Sequence, residues 1–106
     1  MGIDPQLVRE IVGRIRRVAQ PERIILFGSA AGGSLGPDSD IDLLVLEADP
    51  AHPRRESVRI REALRGLGFP FDVVVMATER FEETRDIIGG LAYPAAKHGK
   101  VIYEAA

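Results

Sequence analysis

With 106 residues the chain is bounded to one domain, residues 1–106, around one core, and two catalytic domains are excluded. Hydrophobic residues make up 45% and charged residues 28%, the balance of a globular protein rather than a disordered or fibrous one. Sixteen acidic against fourteen basic residues give a formal charge of −2, so the broad basic footprint of a dedicated nucleic-acid binder is missing and no direct nucleic-acid contact is expected.

Taken in chain order, Asp4-Pro5 reads as a helix N-cap with proline at the first helical position, and Leu7, Val8, Ile11, Ile15 and Val18 recur at helical spacing to about Ala19. Arg9, Arg14, Arg16 and Arg17 fall mostly on the other side, which reads as a solvated face. After Pro21, the apolar run Arg23 to Phe27 predicts a strand covered on both faces, ended by Gly28-Ser29 and a small-residue stretch through Ser34. Gly36-Pro37-Asp38-Ser39 is a turn signal, and Asp40 to Leu46 is the second strand. Asp49-Pro50 and His52-Pro53 open a helix whose Val58, Ile60, Leu64 and Leu67 are expected to face the core, closed by Gly66 or Gly68. Phe71 to Met76 predicts a third strand begun by Asp72. A last helical region starts at Thr78, is divided by Gly89-Gly90 and Pro94, and gives way to a short Val101-Ile102-Tyr103 extension. The order predicts an α/β or α+β fold with one compact sheet.

Chemistry concentrates where Gly28-Ser29 is followed, after ten residues, by Asp40-Ile41-Asp42. In a strand, residues i and i+2 share a face, so Asp40 and Asp42 project together with Cα atoms about 6.5 to 7 Å apart. Two carboxylates so placed suit hard divalent cations such as Mg²⁺, which take oxygen ligands and leave positions for substrate phosphates. A third carboxylate must come from another strand, and Asp72 converges with the pair if its strand is a neighbour. Gly28 permits a sharp turn and close backbone approach, and the Ser29 hydroxyl with nearby amides can receive phosphate oxygens. Taken singly, each piece has a plainer reading: a turn after a strand, an Asp cluster capping local amides, a solvated strand terminus. Their combination carries the functional one.

This stretch, continued by Leu43-Leu44-Val45, resembles the signature of the DNA polymerase β-like nucleotidyltransferases, and the whole chain is similar to their small branch, the minimal nucleotidyltransferase (MNT) domain. The resemblance implies the polymerase β-like fold, a small mixed sheet flanked by helices. It implies that Gly28 and Ser29 hold nucleotide phosphates and that Asp40, Asp42 and Asp72 are the catalytic, metal-binding carboxylates, with Asp40 and Asp42 as the pair and Asp72 as the third, able to activate the attacking hydroxyl. It further implies two Mg²⁺ ions (Mn²⁺ as a substitute), ATP as substrate, and a HEPN-domain toxin as partner, to whose tyrosine AMP is transferred in an antitoxin role. Gly99-Lys100-Val101-Ile102-Tyr103-Glu104 is similar to the usual ending of the branch. One departure stands out: where many relatives carry arginines, this chain has Ala30 and Gly32, removing two cationic contacts.

Two other readings compete. One is a catalytically inactive module of the same fold that neutralises its partner by contact alone. The other is a phosphatase of the haloacid dehalogenase type, which also uses an Asp-x-Asp pair, but after an apolar strand rather than opening one. The absence of cysteine excludes a disulfide framework, a thiolate metal site and a Cys nucleophile, and agrees with a reducing, cytoplasmic location. Neither a signal peptide nor a membrane span is expected, because the first residues run straight into polar sequence and no stretch of about 18 apolar residues occurs.

Overall fold

The Asp4 carboxylate accepts a hydrogen bond from the Gln6 amide at 2.9 Å and caps helix α1, Pro5–Val18, as the Asp-Pro pair predicts. In the computed structural model, residues 3–32 and 39–106 are described; the predicted turn at Gly36-Pro37-Asp38 lies outside them. Strand β1 is Arg23–Phe27, followed by a single 3₁₀ turn at Gly28–Ala30. Strand β2 is Ile41–Glu47, helix α2 Pro53–Ala63, and strand β3 Phe71–Ala77. Helices α3, Thr78–Thr84, and α4, Ala92–His98, precede strand β4, Lys100–Glu104. Pro94 does not divide the last helices, as its sequence suggested. It sits third in α4, within the first turn, where a missing N–H leaves no helical bond unmade.

The sheet order is β3-β2-β1-β4, with β1 antiparallel to both neighbours and β2 parallel to β3. The expected α/β (α+β) class is therefore observed as one four-stranded mixed sheet flanked by helices. The parallel pair needs a crossover, and α2 supplies it. Alternation along the strands sends Ile24, Leu26, Ile41, Leu43, Val45, Phe71, Val73 and Val75 to one face. There they pack against Ile11 and Ile15 of α1 and Ile60 and Leu64 of α2. Ile25, Leu44, Leu46 and Met76 face the other way, against Phe81 of α3 and Ala92 and Ala95 of α4. Both sheet faces are thus covered, which explains why the strands read as continuous apolar runs.

Two expectations about the helices need correction. Val58 is 45% exposed, because it stands two residues before buried Ile60 and so about 200° around the helix from it. Arg14 does more than face solvent: its guanidinium donates to the carbonyls of Arg65 at 2.7 Å and Ala63 at 3.3 Å, satisfying groups at the end of α2. The Arg59 guanidinium returns the service to the Val18 carbonyl at the end of α1. Arg16 lies over the Tyr103 ring, 4.9 Å from its centroid, and so attaches α1 to β4. Among the described residues no helix is long and apolar enough to cross a membrane.

Glu47, at the end of β2, is the charged side chain in this core, 8% exposed and with Oε2 lacking a hydrogen-bond partner among the described residues. Burial, then a hydrogen bond and like charge from Glu56, lift its pKa to about 7, while Arg59 opposes the rise. Free glutamate titrates near 4.5. Between these two values the folded chain holds more protons than the unfolded one, so stability falls as pH rises from about 4.5 to about 7 and then levels. The fall attributable to this group is at most about 3 kcal/mol. Urea unfolding at pH 5, 6, 7 and 8 should show it, and Glu47→Gln should flatten the profile and be the more stable protein at pH 8. A wild-type stability that climbs across this window would contradict the assignment.

Candidate functional site

The site forms where β1 ends and β2 and β3 begin. Because β2 and β3 run parallel and in register, Asp42 and Asp72 are direct lateral partners, so the neighbouring-strand condition for Asp72 is met. Both alternate with residues of the α3/α4 face: Asp42 with Leu44 and Leu46, Asp72 with Val74 and Met76. The two short helices cover the far part of that face, against Leu44, Leu46 and Met76. Asp42 is half-buried, while Asp40 and Asp72 are exposed. Asp40 immediately precedes β2 rather than lying within it, a one-residue boundary difference.

Charge ties the three acids together. Burial raises the Asp42 pKa above its ordinary value, and the negative charges of Asp72 and then Asp40 push it further the same way. A carboxylate whose proton affinity is raised by two neighbouring carboxylates is a ready locus for a cation. Among the described residues, no three His, Cys, Asp or Glu side chains as they lie form a metal cage. Mg²⁺ does not require one, since it is usually held by one or two carboxylates with waters and substrate phosphates completing its octahedron. The donor set fits that mode of binding.

Gly28 closes the other wall. Phe27 pairs with Asp42 across the antiparallel β1/β2 ladder, and Gly28 then turns the chain with φ of +72°, a region L side chains rarely adopt. A Cβ at this position would overlap Asp42 Oδ2 and stand 3.2 Å from its Cγ. The glycine is therefore required twice, by backbone conformation and by the space the carboxylate occupies. Ser29 follows inside the 3₁₀ turn, and Ala30 is buried in the core at 1% exposure. The position where relatives are expected to carry an arginine thus packs inward here.

Two other features were not singled out from the sequence. A cleft of about 990 Å³ beside α2, walled by Ala51, Pro53, Arg55 and Val58, includes none of the three acids. Glu47 reads in sequence as a solvated strand end. The available signal was its parity with Ile41, Leu43 and Val45, which sends it to the covered face.

The nucleotidyltransferase domain family matches the chain over residues 8–93, a span that includes Gly28, Ser29, Asp40, Asp42 and Asp72. No curated protein matches it in sequence. Among solved structures, the chain is similar to a chain of a toxin–antitoxin complex with AMP-PNP, at 24% identity and a TM-score of 0.73, covering 92% of this chain and 73% of that one. It is similar to a chain of the tri-AMPylated Shewanella oneidensis HEPN toxin in complex with MNT antitoxin, at 22% identity and a TM-score of 0.67, covering 96% and 74%. A chain of the toxin–antitoxin complex MntA-HepT is similar at 21% identity, with a TM-score of 0.67 and coverage of 96% and 74%. At such identities the likeness is one of fold.

Proposed function

Since the chain belongs to the nucleotidyltransferase domain family, we propose that it is a Mg²⁺-dependent enzyme moving AMP from ATP to a tyrosine hydroxyl of a partner HEPN toxin, and so acts as an antitoxin. The observation that carries this reading is the in-register pairing of Asp42 with Asp72 beside Gly28, which gathers carboxylates and a backbone bare of side chain where β1 ends and β2 and β3 begin. The partner is suggested by the fold neighbours, which include a HEPN toxin bearing AMP with its MNT antitoxin and a toxin–antitoxin complex with AMP-PNP.

In this reading Asp40 and Asp42 hold the metal from one strand face. Bound Mg²⁺ supplies charge neutralisation along the triphosphate and lowers the pKa of the acceptor hydroxyl. Gly28 lets the backbone approach the phosphates, and the Ser29 hydroxyl donates to a phosphate oxygen. Asp72, on the neighbouring strand, orients the acceptor hydroxyl and takes its proton. The hydroxyl oxygen then bonds to the α-phosphorus as the bond to pyrophosphate breaks in line.

Incubation with the cognate HEPN protein, ATP and Mg²⁺ should add about 329 Da per transferred AMP to that protein, with the mass on a hydroxyl. Asp72→Asn should retain much of the metal-dependent ATP binding yet lose transfer, which calorimetry and mass spectrometry can separate. Ala30 and Gly32 favour a second reading, because the turn brings no arginine to the phosphates. In it the chain neutralises its partner by contact alone, and a tight inhibitory complex with no mass change under any nucleotide would select it.

A further inference from the structure

The outer strands of the sheet, β4 and β3, are finished differently. β4 is short, carries Lys100 and Glu104 at its ends, and shifts register against β1 between Ile24 and Ile25. Charges and irregularities of this kind keep natural sheet edges from pairing further. β3 lacks them. Phe71–Ala77 contains no proline, glycine or lysine, and its single charge, Asp72, belongs to the carboxylate cluster.

The direction of the backbone groups along this edge follows from one hydrogen bond. The Ile41 amide donates to the Pro70 carbonyl at 2.9 Å, and Ile41 and Phe71 are lateral partners in the parallel ladder. In a parallel pair only alternate residues of each strand direct their N–H and C=O to the neighbour, so Asp72, Val74 and Met76 bond to β2. Phe71, Val73, Val75 and Ala77 therefore turn both backbone groups outward, and these have no hydrogen-bond partner among the described residues. The side chains of Phe71, Val73 and Val75 are already buried in the core on the α1/α2 face, so what this edge offers is backbone.

The outward set is symmetric about Val74. A second copy of β3 laid antiparallel, with Val74 facing Val74, sets Phe71 against Ala77 and Val73 against Val75, and each such pair exchanges both of its hydrogen bonds. Slipping the register by two residues either way leaves outward groups unmatched at an end. Charge agrees with the centred register: Asp72 comes opposite Met76 of the second copy, and the two Asp72 residues stay about 14 Å apart.

We propose that β3 is an interface between two copies of this chain, which pair antiparallel about Val74 into one continuous sheet. A second copy is the occupant because the same strand supplies every donor and acceptor the edge lacks, in a register that keeps like charges apart. Asp72 and Met76 of the second copy then form a pair without mutual hydrogen bonds, their Cα atoms about 4.5 Å apart. That methionine walls the outer flank of Asp72, and both carboxylate clusters lie on the same face of the joined sheet.

Sedimentation velocity from about 10 µM to about 1 mM reads the assembly and needs no transfer activity; the Kd should be micromolar, since edge pairing alone buries little area. The product should have twice the 11.6 kDa of one chain. Val74 is half-buried and meets its own copy at the two-fold, so Val74→Lys and Val74→Glu should each weaken dimerisation about tenfold, and their equimolar mixture should dimerise again. Val101→Lys, exposed on β4, should dimerise as wild type does. Amide exchange followed by NMR reads the register in the unsubstituted chain and decides the matter if melts show a Val74 variant to be unfolded. Protection of Phe71, Val73, Val75 and Ala77 should rise with concentration, while Asp72, Val74 and Met76 are protected throughout. A wild type monomeric at about 1 mM, folded Val74 variants that dimerise undiminished, a mixture that stays monomeric, or a dimer lost in Val101→Lys overturns the proposal. So does protection of the outward amides only when another protein is added, which would give this edge to a strand of that partner.

Discussion

Asp42→Asn should melt above the wild type in metal-free buffer and transfer no measurable AMP. The two effects have one cause. The Asp42 pKa is raised in the fold by burial and by Asp72 and Asp40, so the ionised carboxylate is less comfortable folded than unfolded. Stability is lost as pH rises through the shifted pKa, and the ionised group remains a cost at neutral pH. Asparagine keeps the shape and removes the charge, which should raise the melting temperature. The gain should shrink as the pH is lowered and wild-type Asp42 takes up its proton. Transfer should fall at least 1,000-fold, or about 4 kcal/mol of barrier, because a charged metal ligand is gone. Differential scanning calorimetry and a mass assay on the partner report both. An Asn variant that melts well below wild type, or that transfers normally, would make Asp42 a structural residue.

Gly28→Val should be the most damaging single change at the site. Valine must either adopt a φ near +72°, which costs an L residue about 1–2 kcal/mol, or rebuild the end of β1. It must also move the Asp42 carboxylate that its Cβ would overlap. Together these predict about 2–4 kcal/mol of lost stability and transfer below detection. Gly13→Ala is the contrast, since a Cβ there meets nothing within 4 Å and the residue lies inside α1. That change should be neutral or stabilising by up to about 1 kcal/mol. Chemical denaturation of both variants checks the pair. Wild-type transfer by Gly28→Val would remove the backbone wall from the site.

The sequence was most readable where one physical rule acted alone. Asp4-Pro5 marks the start of α1, and the apolar run Arg23 to Phe27 coincides with β1. The three acids could be picked out because a charged residue opening an apolar strand has no packing reason to be there. Their meeting depended on strand order, which no local pattern encodes: only the β2-β3 adjacency makes Asp42 and Asp72 partners. Val58 misled because an apolar residue was credited to the core by type, against its angular position on α2. Pro94 misled because a proline early in a helix and a proline ending one look alike in sequence. Glu47 was overlooked because a glutamate at a strand end is ordinarily solvated, and only the helices packed on that face bury it.

The C-terminal strand covers the flank of β1, pairing with it from Arg23↔Glu104 to Leu26↔Lys100. Without β4, β1 would become a sheet edge, presenting unpaired amides along a segment, Ile24-Ile25-Leu26-Phe27, that carries no charge, no proline and no bulge-forming glycine. Such an edge is a template for strand addition by another chain. β4 itself carries Lys100 and Glu104 at its two ends, charges that discourage the same event on its own outer side. The last residues of the chain, remote from the carboxylates in sequence, therefore act as a guard against self-association. Removing residues 99–106 should turn a monodisperse preparation into one that scatters light, through exposure of the strand that delivers Gly28 to the site.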